Sequence, residues 1–210
     1  MTRARVGILL SGRGTDAMAL IEAARAADYL AEIALVISND PAAAGLEKAA
    51  AAGIATQAID HRPFGKDRAA HERAIDAALR EAGVGFVCLA GYMRILTPGF
   101  VEAWRGRIIN IHPSLMPLFP GLHTHRRALE AGMKLHGCSV HWVTPGVDEG
   151  LLIGQAAVPV LAGDDAESLA ARVLAAEHRL YPVCLAAAIS GEAASADAGA
   201  VLANPPLGLG

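Results

Sequence analysis

The stretch Val6-Gly7-Ile8-Leu9-Leu10-Ser11-Gly12-Arg13-Gly14-Thr15-Asp16-Ala17 decides the fold. Its compact apolar run, Val6–Leu10, reads as a buried strand. A glycine-rich turn closes that strand. Met18, Leu20, Ile21 and Ala24 then supply the apolar face of a helix over Thr15–Ala27. The glycines of Gly12-x-Gly14-x-x-Ala17 let the backbone approach a phosphate, and a helix N-terminus offers outward N–H groups and a positive dipole end. With Asp40 closing the next strand, the pattern by itself admits a dinucleotide site. It equally admits a tight turn with Thr15 or Asp16 as N-cap.

The alternation continues outward from this unit. Ile33–Ser38 reads as a strand, Leu46–Ala52 as a helix stopped at Gly53, and Ala55–Ile59 as a strand. A charged helix over Asp67–Ala82 stops at Gly83, followed by strand Phe86–Ala90, short helix Pro98–Trp104 and strand Arg107–Ile111. Strand and helix alternating in this way predict an α/β fold, a doubly wound, mostly parallel sheet flanked by helices. Ser114–Thr124, with Pro117, Pro120 and Gly121, reads as a long loop, and Arg126–Ala131 as a short helix. Cys138–Val143 and Ile153–Pro159 read as strands joined by a turn at Thr144–Gly150. Ala166–Ile189 is a closing helix with a bend expected at Pro182. Residues 1–190 are thus expected as one domain, and the alanine-, glycine- and proline-rich residues 191–210 as a flexible tail.

Composition removes several function classes. Hydrophobic residues make up 53% of the 210 and charged residues 19%, so the chain can bury a core. Aromatics at 4% make that core aliphatic. The net charge of −3, with no block of basic residues, argues against a nucleic-acid surface. Cys88, Cys138 and Cys184 are odd in number and far apart, and read as reduced core thiols. No charge-free stretch before the tail reaches the roughly 18 residues of a membrane span, and Val6–Leu10 is too short for a signal-peptide core. A cytoplasmic protein without membrane or nucleic-acid partners, monomer or homodimer, is the expectation.

The chemistry concentrates in Asn110-Ile111-His112-Pro113-Ser114-Leu115-Met116-Pro117. Asn110 and His112 share one face at the carboxyl end of a buried strand, the edge where parallel α/β sheets bind ligands. An amide and an imidazole converging there can stabilise an oxyanion and move a proton. Spacing alone leaves equally open a histidine merely satisfied in a loop.

The segments SGRGTD (11–16), AGYMRIL (90–96), NIHPSLMPLFPGLHTH (110–125), HGCSVHWV (136–143), VDEG (147–150) and EHRLYP (177–182) resemble, in order, the phosphoribosylglycinamide formyltransferase family. These are folate-dependent enzymes of purine synthesis with a Rossmann-like fold. The resemblance implies that the primary amine of a glycinamide ribonucleotide attacks the formyl carbon of 10-formyltetrahydrofolate, a co-substrate, with no metal. It implies catalytic roles for Asn110, His112 and Asp148. The first two would hold the oxygen of a tetrahedral intermediate, and Asp148 would favour the imidazolium of His112. It places the ribonucleotide at Gly14, Thr15, Asp16 and Glu177. It places the folate at Arg68, Met93, Arg94, Ile95, Leu96, Asn110, Thr144, Val147 and Asp148.

Two positions depart from the family pattern. Asp16 stands where relatives often carry asparagine, and Leu118 where they often carry a polar or basic residue. Arg13 or Arg126 is the expected compensation. His123-x-His125 has the spacing of a metal pair that His112 or His141 could join to bind zinc, but no carboxylate or cysteine stands at a spacing that completes the site. Ser114 lacks a nucleophile elbow and reads as a capping or backbone-bonding residue. His71, Glu22, Arg25, Glu72 and Arg73 read as solvated helix surface, and Trp104 and Trp142 as core or pocket wall. A 10-formyltetrahydrofolate hydrolase on the same fold is the first alternative, although that enzyme usually carries an extra N-terminal domain. A non-catalytic nucleotide-binding module is the second, and it leaves Asn110, His112 and Asp148 unexplained.

Overall fold

The computed structural model describes residues 3–192 and 201–202. They fall into two compact units, one of residues up to Asn110 with Val143–Pro145, the other of Ile111–Trp142 and the chain from Gly146 onward.

The first unit is the doubly wound part. Strands β1 (Ala4–Leu10), β2 (Ala31–Ser38), β3 (Thr56–Ala58) and β4 (Phe86–Leu89) lie in the order β3-β2-β1-β4, and β5 (Ile108–His112) pairs with β4. Every one of these pairings is parallel. The inner strands β1, β2 and β4 are rich in Val, Ile and Leu because both faces are covered, whereas the edge strand β3, Thr-Gln-Ala, is largely exposed. On one face Leu9, Leu35, Ile37, Val87, Leu89 and Ile108 pack with Ile75 and Leu79 of α3 (Arg68–Glu81) and Phe100 of α4 (Pro98–Ala103). Trp104, at the end of α4, closes this core and donates from Nε1 to Asp76 at 3.0 Å. On the other face run α1 (Thr15–Ala23) and α2 (Ala44–Ala51), with Gly45 of α2 against the Leu10 side chain. The sheet class expected from the alternation is the one observed.

The second unit is built on an antiparallel pair, β6 (Leu135–Trp142) with β7 (Leu152–Pro159). Helices α5 (Thr124–Glu130) and α6 (Ala166–Ser190) belong to this unit. Asp165 starts α6 by accepting from the amides of Glu167 and Ser168, while Ser168 Oγ accepts from the Asp165 amide. The helix runs through Pro182 to Gly191, whose φ of 81° ends it. Within the stretch expected as a tail, Val201–Leu202 form a two-residue strand, β8, parallel to β7. The remainder of that stretch lies outside the described residues.

Three readings need correction. Helix α1 ends at Ala23, four residues early, because Arg25, Ala26 and Ala27 beyond its C-cap are exposed and bury no apolar face. His71 is buried, not solvated, and its Nε2 lies 2.8 Å from the Ile59 carbonyl oxygen. Glu72 is buried as well, and its carboxylate accepts from the Thr97 amide at 2.8 Å and from the Thr97 hydroxyl. Glu22, Arg25 and Arg73 are exposed as read, and all three cysteines are buried thiols outside any disulfide. Among the described residues no helix is long and apolar enough to cross a membrane.

Candidate active site

In the first unit, β1 runs into Ser11–Gly14 and α1 begins at Thr15. The N-cap is Gly14, at φ 67° and ψ 28°, with no side-chain cap; neither Thr15 nor Asp16 takes that place. The left-handed backbone favours glycine, and so does space. A Cβ on Gly14 would lie 2.7 Å from the Gly45 Cα. The first helical bond runs from the Met18 amide to the Gly14 carbonyl, so the amides of the first turn have no acceptor inside the helix. Asp16 sits in that turn, half-buried. Lys48 of α2, which the sequence reading passed over, donates from Nζ to the Arg13 carbonyl at 3.0 Å. Arg13 is exposed, and Arg126 is taken up with Glu130 at 3.5 Å.

The segment after β4 is pinned at three points. The Met93 amide donates to Ser11 Oγ at 2.8 Å, and Ser11 Oγ donates to Asn39 Oδ1 at 2.5 Å. Arg68 Nη1 donates to the Ile95 carbonyl at 3.3 Å. One turn further along α3, Glu72 holds Thr97, the N-cap of α4. Pinning the main chain leaves Met93 and Ile95 outside the core, 69% and 61% exposed. Arg94 is half-buried, while Leu96 turns into the core, so whatever Leu96 offers a ligand is main chain. Asn110 is the middle residue of β5, two residues before His112 at its carboxyl end and in register with Leu89 of β4. Thr144 has a buried hydroxyl without a hydrogen-bond partner among the described residues.

The second unit holds the charged centre. His112 is buried, with Nδ1 3.3 Å from Asp148 Oδ2 and Nε2 3.0 Å from the Phe119 carbonyl oxygen. Each ring nitrogen thus faces an acceptor, an arrangement that a doubly protonated ring satisfies. Asp148 is held on several sides: the Gly121 amide donates to Oδ2 at 2.9 Å, and His141 Nε2 lies 3.7 Å from Oδ1. Burial works to raise the Asp148 pKa. The His141 hydrogen bond, the Gly121 amide and the charge of His112 outweigh it, and the carboxyl stays below its ordinary range. Asp148 has a φ of 51°, a left-handed conformation that aspartate tolerates better than most residues. Val147 beside it is half exposed. Glu177 is buried in the middle of α6.

The sequence offers His141 only as a possible companion of the His123–His125 pair, yet it is a partner of Asp148. The signal was available: Gly137, Ser139 and His141 alternate along β6 as a small or polar face. Ser114 is buried, and its Oγ donates to the Leu118 carbonyl at 2.6 Å, the backbone role expected of it. His136 is buried with its ring edge-on to Phe119 and His125. Burial first, then His125, hold its pKa down to about 4. His123 is the exposed start of α5. Among the described residues no three His, Cys, Asp or Glu side chains are grouped to hold a metal ion.

The second unit thus carries a buried His–carboxylate pair with a second histidine behind it, and the first a glycine-rich turn that leads β1 into α1. The formyl transferase family model matches residues 4–185. The chain belongs to the formyl transferase family. Phosphoribosylglycinamide formyltransferase of Escherichia coli is 45% identical over 178 residues, 85% of this chain and 84% of that protein. The trifunctional purine biosynthetic protein adenosine-3 of Drosophila pseudoobscura pseudoobscura is 52% identical over 191 residues, 90% of this chain. The chain spans only 14% of the length of that relative. The crystal structure of phosphoribosylglycinamide formyltransferase from Brucella melitensis superimposes with a TM-score of 0.86 at 57% identity, covering 90% of this chain and 97% of that one. The formyl transferase fold is therefore shared along with the sequence.

Proposed function

We propose that this chain transfers the formyl group of 10-formyltetrahydrofolate to the primary amine of 5-phosphoribosylglycinamide. The observation that carries the reading is the buried His112–Asp148 pair, backed by His141, in a member of this family. The amine attacks the formyl carbon, and the carbonyl π electrons move onto oxygen to give a tetrahedral intermediate. Asn110 and His112 stabilise that oxygen; a single well-placed donor of this kind is typically worth about 10²- to 10³-fold in rate. Collapse re-forms the carbonyl and breaks the bond to the folate nitrogen, which takes a proton as it leaves. The nitrogen that was the amine gives one up. Asp148 keeps His112 oriented and paired throughout, so the ring can lend and recover a proton without covalent attachment to substrate.

The glycine loop takes the ribonucleotide phosphate through main-chain amides at Gly14, Thr15 and Asp16. Lys48, reaching the same loop, supplies positive charge against the carboxylate of Asp16. Glu177 takes the ribose or glycinamide end. Arg68, Met93, Arg94, Ile95, the main chain of Leu96, Thr144 and Val147 serve the folate. The exposed side chains of Met93 and Ile95 offer it apolar surface, and the orphaned Thr144 hydroxyl offers it a hydrogen bond.

The test is a formyl-transfer assay following folate deformylation by absorbance, with and without the ribonucleotide. Release that depends on the ribonucleotide is the expected result. Release at the same rate without it would make the chain a hydrolase and overturn the proposal.

A further inference from the structure

The small and polar face of β6 does more than hold Asp148 through His141. At Gly137 a Cβ would lie 2.9 Å from Leu115 Cδ2 and 2.0 Å from the Ala156 carbonyl oxygen, so this position closes tightly under the loop after His112. Between Gly137 and His141 sits Ser139, fully buried. Its hydroxyl donates to the Ser114 carbonyl at 2.7 Å. It accepts from the Met116 amide at 3.0 Å and from Gln155 Nε2 at 2.9 Å. A hydroxyl has one hydrogen and two lone pairs, and all three are in use.

Gln155 stands directly across from Ser139 in the β6–β7 register. Its amide nitrogen spends its other hydrogen on the Met116 carbonyl at 3.0 Å. Two side chains on neighbouring strands thus hold three main-chain groups of Ser114–Met116. The Ser114 amide donates in turn to the His112 carbonyl at 2.8 Å, so the grip ends on the histidine itself.

We infer that Ser139, seated on Gln155, is a positioning residue for formyl transfer: it fixes the main chain that follows His112 so that the ring stays between Asp148 and the Phe119 carbonyl. The inference rests on the reading that His112 and Asp148 carry the reaction. Ser139 touches no reacting atom. Its effect is on the angle and distance of the His112–Asp148 pair, where a shift of about 1 Å can cost about a hundredfold in rate.

Ser139→Ala is the direct test. It should lower kcat by roughly tenfold to a hundredfold while the KM for each substrate stays within about twofold. Ser139→Thr, which keeps the hydroxyl, should recover most of the loss. Gln155→Leu leaves the Ser139 hydroxyl in place and should fall between, and it carries the comparison if Ser139→Ala does not fold. Imidazole ¹⁵N NMR of ligand-free protein supplies a readout that needs no activity: the His112 ring signals should shift or broaden in Ser139→Ala, with those of His71, in the other unit, unchanged. Unaltered His112 signals in the folded variant, or wild-type kcat, overturn the inference. A wild-type protein that fails to transfer formyl defeats the functional reading alone, since the NMR comparison still decides whether Ser139 positions the ring.

Discussion

Acid should destabilise this protein through His136, and the size of the effect follows from its surroundings. The ring is buried with Phe119 and His125 edge-on against it. Desolvation first, then the neighbouring His125, bring its pKa from an ordinary 6.5 to about 4. In the unfolded chain the same ring takes its proton near 6.5. Between those two values the unfolded state therefore binds more protons than the folded one, and stability must fall as pH falls. The contribution is intact above about 6.5 and is lost progressively on the way down to about 4. At about 1.4 kcal/mol per pH unit, the loss across that window is roughly 3 kcal/mol, a large share of the 5–15 kcal/mol that typically holds a domain together. Urea denaturation at a series of pH values between about 8 and 4 measures it. His136→Gln keeps a polar side chain and removes the titration, so the variant should lose roughly 3 kcal/mol less than wild type over the same range. His71, in the other unit and with a pKa lowered chiefly by burial, adds an acid loss common to both proteins that cancels in the comparison. A variant as acid-sensitive as wild type, or a His136 ring that titrates near 6.5 by NMR, refutes the reasoning.

Asp148→Asn should cut kcat by about 10²- to 10⁴-fold with circular dichroism unchanged, because asparagine tolerates the same left-handed backbone but cannot pair with a charged His112. Wild-type turnover in this variant would remove Asp148 from the mechanism. His141→Phe takes away a hydrogen bond that holds the Asp148 carboxyl low. Activity that needs the carboxylate fails as pH falls through its pKa. The acid limb of the kcat profile should therefore move to higher pH in the variant, and an unmoved limb would contradict the assignment. Glu72→Gln turns an amide hydrogen toward the Thr97 amide or hydroxyl in a buried site, at a cost of about 1–3 kcal/mol in chemical denaturation. The KM for the formylfolate should rise with it, because Thr97 ends the segment that carries Met93 and Ile95.

The strand–glycine–helix opening was legible because a parallel strand buried on both faces must be a short unbroken apolar run, and Val6–Leu10 is one. Residue type alone places His71 and Glu72 on the surface, while their position on α3 places them inside. Buried positions of α3 fall at 71, 72, 75, 78 and 79, a helical stripe that includes both polar residues. Their identity points outward; their spacing points in. Asp148 lies far along the chain from His112, and no local rule of spacing links them; family resemblance singled it out. The pairing of His141 with Asp148 is legible in neither, since it depends on a turn that brings Asp148, at a positive φ, within reach of the His141 ring. Leu96 shows the converse. It sits within a segment that matches the family, yet its side chain faces the core while its neighbours face out.

The contact between Gly14 and Gly45 has a consequence for the genetics of this gene. A side chain at Gly45 would reach within 3.0 Å of the Gly14 Cα and the Gly12 carbonyl, and within 2.8 Å of Leu10. The Gly45 amide is itself spent on the Gly12 carbonyl at 3.0 Å. An allele at that codon would push the loop out of shape, and on the proposed function it would present as a loss of nucleotide affinity. On that same reading a selection for purine auxotrophs would recover it beside the loop alleles. Suppressors would not arise at codon 14, because glycine is already the smallest residue available there. Trimming Leu10 would relieve only one of the three contacts and leave both backbone ones, so relief has to come from reverting Gly45, and the pair should persist together through sequence drift that freely rewrites the exposed alanines around them.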